Sequence, residues 1–292
     1  MRKTQLNRVF MLTAFGVYCW IYPSSVILVM FDRVPPDTAW MASFMLVVGG
    51  LVAASWVTLN FGLKRGLLAS FSLFGLGLAV EAIGVATGLP FGRYSYSEVL
   101  SPKLLGVPVG IIFAWLMVVL SAFFITRYLL RKLRPDWNEA VLLGISAGLA
   151  LVSDFLMEPV AVYIQGYWTW HDRGFYYGVP EANFIAWGLI SLLMVYLLNR
   201  LSGANRSDPA QETLHFLFIP LALYLMNLAM FTLVNFSHNN YLAGSIGLIT
   251  GLYCFNLIIK ARKTGRIKSV SLPFVGERPT KKAKKGAITS KN

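Results

Sequence analysis

The sequence predicts an all-α polytopic membrane protein with about eight transmembrane helices and an internal parallel two-helix repeat. Three observations carry that reading. Hydrophobic residues make up 56% of the 292-residue chain, mean hydropathy is +0.60, and charged residues make up only 13%; an ordinary soluble domain carries about 25% charged residues. The apolar residues gather into runs of about 20, the length a helix needs to cross a hydrocarbon core. Lys and Arg fall in alternate connections, as in proteins whose loops alternate between two sides of a membrane.

Taken in order, the first run, Val9–Met30, is too long for a signal-peptide core, and no small-x-small cleavage pattern follows it, so it reads as a retained span. Pro23 within it predicts a kink or a local unwinding. Thr38–Leu59 and Gly66–Thr87 follow, separated by Lys64 and Arg65. Gly106–Ile125 has Pro108 at its start, where a missing N–H has no helical partner to lose. Asn138–Glu158 is expected to end where Pro159 stops it. Asn183–Leu198 is short for a span unless Val179 and Pro180 form its first turn. Leu214–Phe236 and Leu242–Ile259 complete a transmembrane domain over 1–259. Residues 260–292 read as a disordered basic tail containing Lys281-Lys282-Ala283-Lys284-Lys285. Such a tail either stays solvated or lies on anionic headgroups.

All but four of the 26 Lys and Arg lie on the N-terminal side of these spans, the exceptions being Arg33, Arg93, Lys103 and Arg173. The expected topology is therefore multi-pass in the cell (inner) membrane with both termini cytoplasmic. The net charge of +13 follows from that topology and the tail, so no nucleic-acid partner is expected. Cys19 and Cys254 sit in apolar runs and read as packing residues.

One stretch occurs twice, from Glu81 to Trp115 and from Asp154 to Trp187. Each copy starts with a carboxylate in an apolar run and continues to a glycine followed by alternating aromatics. These are Gly92-Arg93-Tyr94-Ser95-Tyr96 and Gly166-Tyr167-Trp168-Thr169-Trp170. Each copy then reaches Gly-Val-Pro (106–108 and 178–180) and ends in Ala-Trp. The offset of about 73 residues spans two helices, which makes the repeat parallel, with copies over about 66–125 and 138–200. Both repeat loops should then lie on the non-cytoplasmic side, with Glu81 of one copy facing Asp154 of the other.

The candidate chemistry lies in the carboxylates. Glu81 precedes the end of its span by about 10 Å of helix. Asp154 and Glu158, four residues apart, project from one helix face. Ionisable groups at such depth are costly unless paired or functional. A carboxyl group removed from water favours its neutral form and is suited to proton donation. A hydrogen-bonded structural role is the plain alternative for each. Tyr94, Tyr96, Trp168, Trp170, Tyr176 and Tyr177 would form an interfacial belt in any membrane protein. Their matching places in the two copies argue instead for an aromatic pocket that holds an apolar polyene and stabilises a cation on its ring faces. Arg93 is a clamp for one of the carboxylates or a headgroup contact, and His171 and Asp172 read as a solvated turn. The three histidines form no metal box, and there is no dinucleotide fingerprint or phosphate loop, so neither a metal nor a cofactor is expected.

The run Glu81-Ala82-Ile83-Gly84-Val85-Ala86-Thr87-Gly88-Leu89-Pro90-Phe91-Gly92-Arg93-Tyr94-Ser95-Tyr96, followed by Leu105-Gly106-Val107-Pro108 and Trp115, resembles the CruF-type carotenoid biosynthesis family. So does Asp154 through Glu158-Pro159, Gly166-Tyr167-Trp168-Thr169-Trp170 and Tyr177-Gly178-Val179-Pro180 to Asn183 and Trp187. The resemblance covers about residues 75–188. It implies a carotenoid 1',2'-hydratase, adding water to the terminal double bond of an acyclic end group of the lycopene, γ-carotene or bisanhydrobacterioruberin type. The implied partners are the carotenoid, membrane lipid and other carotenoid-pathway enzymes. Catalytic assignments come from the residues rather than the resemblance: Asp154 or Glu81 as acid and Glu158 as base. Arg93, Tyr94, Tyr96, Trp168, Trp170, Tyr177, Asn183 and Trp187 are the candidate substrate contacts. The competing readings are a transporter or flippase of an isoprenoid lipid, using the carboxylates as a proton relay, and a non-catalytic carotenoid-binding scaffold.

Overall fold

The computed structural model describes residues 2–38, 40–134, 136–203 and 218–263. Among these, eight helices are long and apolar enough to cross a membrane. They are α1 (Arg2–Met30), α2 (Trp40–Phe61), α3 (Leu63–Thr87), α4 (Val109–Leu133), α5 (Glu139–Pro159), α6 (Glu181–Ser202), α7 (Phe218–Ser237) and α8 (Tyr241–Lys263). Each expected span has its helix. Residues 214–217, His215 and the basic segment from 264 onward lie outside the described residues.

Several helices run past the apolar stretches that reveal them. α4 ends with Arg131 and Lys132 in its last turn, and α8 with Lys260, Arg262 and Lys263. Cations there meet the negative end of the helix dipole and carry long apolar stems, so charge does not end the helix where hydropathy falls.

α4 is the central helix. In its most apolar stretch 89% of residues are buried, against 17% in α1, which faces outward. Around α4 the bundle is tied at both ends. At one end Glu139 on α5 accepts from Asn199 Nδ2 (2.8 Å) and Arg200 Nη2 (2.9 Å) on α6. At the other end His238 Nε2, after α7, lies 3.1 Å from both carboxylate oxygens of Asp32, after α1.

Four prolines depart from expectation. α1 runs unbroken through Pro23, because one missing N–H leaves the rest of the helical ladder intact. Pro159 does not stop α5. The chain passes through it into a widened π-helical turn, Val160–Ile164, closed by Gln165 N–H to Val160 O at 2.9 Å. Pro159 has no N–H to offer the carbonyl of Phe155, one turn back, and that carbonyl accepts instead from the Tyr176 hydroxyl at 2.9 Å. Pro108 and Pro180 stand one residue before their helices, not in the first turn. Their ψ angles, 130° and 139°, are extended, so they cap α4 and α6.

The long loops are not wholly irregular. β1 (Tyr94–Tyr96), from the loop after α3, pairs antiparallel with β4 (Trp168–Trp170), from the loop after α5. The register sets Tyr94 opposite Trp170 and Tyr96 opposite Trp168. β2 (Lys103–Leu104) and β3 (Val107–Pro108) form a hairpin. Its two turn residues, Leu105 and Gly106, both have positive φ, 52° and 80°. Tyr177 and Gly178 repeat that geometry at 47° and 67° between the bridged Tyr176 and Val179. A two-residue turn of this hand needs positive φ at both positions, which glycine adopts without strain. The two Gly-Val-Pro motifs are thus the exits of two tight turns, each leading through a capping proline into a helix.

Candidate active site

The period-two alternation of a strand sends Tyr94 and Tyr96 to one face and Ser95 to the other, and likewise Trp168 and Trp170 against Thr169. Ser95 and Thr169 are exposed, and the four aromatics point inward over the ends of the helices. The ribbon carries them to two buried glutamates.

Glu81 on α3 is 4% exposed. Its Oε2 accepts from the hydroxyls of Tyr94 (2.7 Å) and Tyr96 (2.8 Å), and its Oε1 accepts from Trp115 Nε1 on α4 (2.8 Å). Close approach of the tyrosine depends on Gly84, one turn further along α3. A Cβ built there would lie 2.7 Å from the Tyr94 hydroxyl oxygen and 2.9 Å from the Phe91 ring.

Glu158 on α5, 2% exposed, is held by the opposite strand. Its Oε2 accepts from Trp168 Nε1 (3.2 Å) and Trp170 Nε1 (2.9 Å), and its Oε1 from Asn183 Nδ2 (3.2 Å). Asn183 also donates to Asp154 Oδ2 at 3.0 Å. Asp154 is fully buried, and its Oδ1 has no hydrogen-bond partner among the described residues.

The two sets of donors pack on each other. Tyr94 lies against Trp170 (ring centroids 5.1 Å) and Tyr96 meets Trp168 edge-on (5.9 Å, 82°). Below them Trp115 and Trp187 stack at 3.7 Å. Together these rings and the two glutamates, with Phe91, Ile111, Ala114, Met157 and Asn183, line a partly open pocket of about 410 Å³, its mouth included. Burial first, and then the neighbouring Glu81, push the Tyr94 and Tyr96 hydroxyls well above the ordinary phenol range, so both remain O–H donors.

The site differs from the sequence expectation in three respects. The carboxylate across the pocket from Glu81 is Glu158, not Asp154. The ribbon register brings Trp168 and Trp170 down beside Glu158, whereas Asp154, one turn deeper, is reached through Asn183 and does not line the pocket. Arg93 is not a clamp for a buried carboxylate. It holds Asp172 with its backbone N–H (2.7 Å), Nε (2.9 Å) and Nη2 (2.7 Å) on the outer face of the ribbon, where its side chain is 71% exposed. Those hydrogen bonds hold the Asp172 carboxyl below the usual carboxylate range. Tyr177 turns away towards α8, where its hydroxyl meets Ala243 N at 3.4 Å. Tyr94, Tyr96, Trp168, Trp170, Asn183 and Trp187 do meet at the pocket. Trp115 is the donor that sequence reasoning passes over. Its signal is its place at the end of the first stretch, matching Trp187 in the second.

Chemically, a pocket with two carboxyl groups, four indole rings and two phenols, and no Lys or Arg in its lining, can move protons and face a cation with aromatic π-clouds.

The bisanhydrobacterioruberin hydratase of Haloarcula japonica is 35% identical over 133 residues, which is 45% of this chain and 43% of that protein, so the chain aligns with less than half of that relative's length. No solved structure matches the chain. The family model described as "Carotenoid biosynthesis protein" matches residues 41–254. The chain, a membrane protein with eight helices among its described residues long and apolar enough to cross a membrane, belongs to the carotenoid biosynthesis protein family.

Proposed function

We propose that the protein adds water across the terminal 1',2' double bond of an acyclic carotenoid end group, giving a tertiary 1'-hydroxyl. The observation that carries this reading is the placement of Glu81 and Glu158 on one aromatic-walled pocket. The family and the name of the partial relative support the same chemistry.

The two carboxyl groups have different neighbours. Every donor on Glu158 is an N–H, from Trp168, Trp170 and Asn183, and an indole N–H cannot accept a proton's hydrogen bond in return. Two of the three donors on Glu81 are tyrosine hydroxyls, which donate or accept as the carboxyl requires. Glu81 is therefore equipped to hold and release a proton, and Glu158 to receive one. In the proposed cycle Glu81 gives its proton to C2', converting the π-bond into a C–H bond and a cation at C1'. The rings of Tyr94, Tyr96, Trp168 and Trp170 face that cation. Water bonds to C1' and loses a proton to Glu158. The sum is one water added, and proton return from Glu158 to Glu81 restores the site. Asp154, behind Asn183, positions Glu158 rather than touching substrate. The Lys and Arg distribution supports placing both termini on the cytoplasmic side of the cell membrane, with the ribbon on the far side.

The test is expression in a lycopene-producing host with pigment mass measured. Product heavier by one water per reacted end is the expected result. Pigment moved between membranes at unchanged mass would favour a transporter, and pigment bound at unchanged mass a scaffold; either would overturn hydration.

A further inference from the structure

A second cavity of about 1190 Å³ lies between α1, α2, α4, α7 and the π-helical turn after α5. It is nearly three times the size of the carboxylate pocket, and the two share Ile111, Met157 and Trp168 as common wall. α1 lines it with a single face, Tyr18, Tyr22, Ser25 and Val29, which at 1.5 Å per residue covers about 16 Å of membrane depth. Five of the chain's 10 methionines also line it: Met41, Met45, Met117, Met157 and Met230. Unbranched, polarisable thioethers adapt to an extended apolar ligand better than branched side chains do. No charged side chain is among the lining residues.

We infer that this cavity holds the polyene chain of the substrate, delivering its end group past Met157 and Trp168 to Glu81 and Glu158. The inference deepens the proposed hydration by placing the long unreactive part of the substrate. It requires a passage between the two spaces at the three side chains that line both, Ile111, Met157 and Trp168, which must part to admit the end group. It also explains why a helix as poorly packed as α1 keeps one ordered inner face: that face is a wall against lipid, with the Tyr22 hydroxyl anchored to Met226 O of α7 at 2.8 Å.

The experiment measures lycopene carried through purification from a lycopene-producing host, by visible absorbance per protein. Native protein and Gly144→Ala, where an added Cβ meets nothing within 4 Å, should carry equal pigment. Ala42→Phe on α2 and Ser25→Phe on α1 place rings in the void and should each carry about ten-fold less, the scale of an overpacking clash. As a check independent of those variants, Met45→Cys should react with a maleimide about ten-fold more slowly when lycopene is loaded than when it is absent, read at that position by peptide mass. Native-level pigment in both phenylalanine variants, or maleimide labelling unaffected by lycopene, would overturn the inference. So would native protein that carries lipid acyl chains in place of pigment. Native protein that carries lycopene at unchanged mass would defeat the hydration reading while leaving this one standing.

Discussion

The indole rings of Trp115 and Trp187 stack 3.7 Å apart at 16° between planes, and the N–H of Trp115 is donated to Glu81 at 2.8 Å. One ring thus serves both the floor of the pocket and the fixing of a carboxyl group. Trp115→Phe separates the two roles: a ring remains for the stack and the N–H is lost. A hydrogen bond to a charged group contributes about 1.5–3 kcal/mol. Hydrated product should fall by about 10- to 100-fold, with protein yield in membranes unchanged. Product formation at the native rate would remove Trp115 from the site.

Glu81→Gln and Glu158→Gln should each lower hydration by about 10²- to 10⁴-fold, the range of general acid–base catalysis. Their stabilities should differ. The amide nitrogen of a glutamine at 158 would meet the donor-only indoles of Trp168 and Trp170, and the Asn183 amide could accept from it only by turning over and giving up its own bond to Asp154. At 81 the tyrosine hydroxyls can rotate to accept. Thermal unfolding in detergent should show Glu158→Gln the less stable by about 1–3 kcal/mol. Equal midpoints would contradict the assignment of donor-only partners.

Gly84→Ala tests how the tyrosine reaches the glutamate. The added methyl would stand 2.7 Å from the Tyr94 hydroxyl oxygen and 2.9 Å from the Phe91 ring, so one of them must move. Overpacking of this kind costs about 1–3 kcal/mol. Lower thermal stability together with reduced activity is expected. Gly144→Ala, where a Cβ meets nothing within 4 Å, should leave both unchanged and serves as the control.

The outer clasp of the ribbon should depend on pH. Arg93 holds the Asp172 carboxyl below the usual carboxylate range. The folded state therefore binds that proton less readily than the unfolded chain does. The contribution of the clasp is complete above the ordinary aspartate value of about 3.9 and fades as pH falls through the lower folded value. Limited proteolysis of the loops should find Asp172→Asn cut faster than native protein at pH near 7, with the difference narrowing as pH falls below the ordinary aspartate value of about 3.9. A difference that does not narrow as the pH falls would contradict the clasp. The pair is exposed, so the neutral-pH difference should be modest and should shrink in high salt.

The helices were largely legible in the chain because each must bury or present to lipid about 20 apolar residues, a signal that no loop can mimic. Gly-Val-Pro at 106–108 and 178–180 was legible as a boundary, for glycine and proline punctuate backbone geometry locally. The pairing of Glu81 with Glu158 was not. It depends on the register of two three-residue strands 74 positions apart, Tyr94 against Trp170 and Tyr96 against Trp168, too short for alternation to be distinguished from an aromatic belt. Pro159 misleads for a similar reason. The hydroxyl that takes up the carbonyl left by its missing N–H comes from Tyr176, beyond the next turn of chain. Arg93 misleads because an arginine near carboxylates does not declare which one it will hold; exposed Asp172 lies beside it on the ribbon, while the buried pair is already supplied with neutral donors.

The most direct test is oxygen transfer from solvent by the purified protein. Native protein given lycopene in heavy-oxygen water should form a 1'-hydroxylated product carrying the heavy oxygen, one per reacted end, with Glu81→Gln and Glu158→Gln both forming about 10²-fold less or lower still. A product without the label, or full labelling in both variants, would contradict hydration by this pair of glutamates.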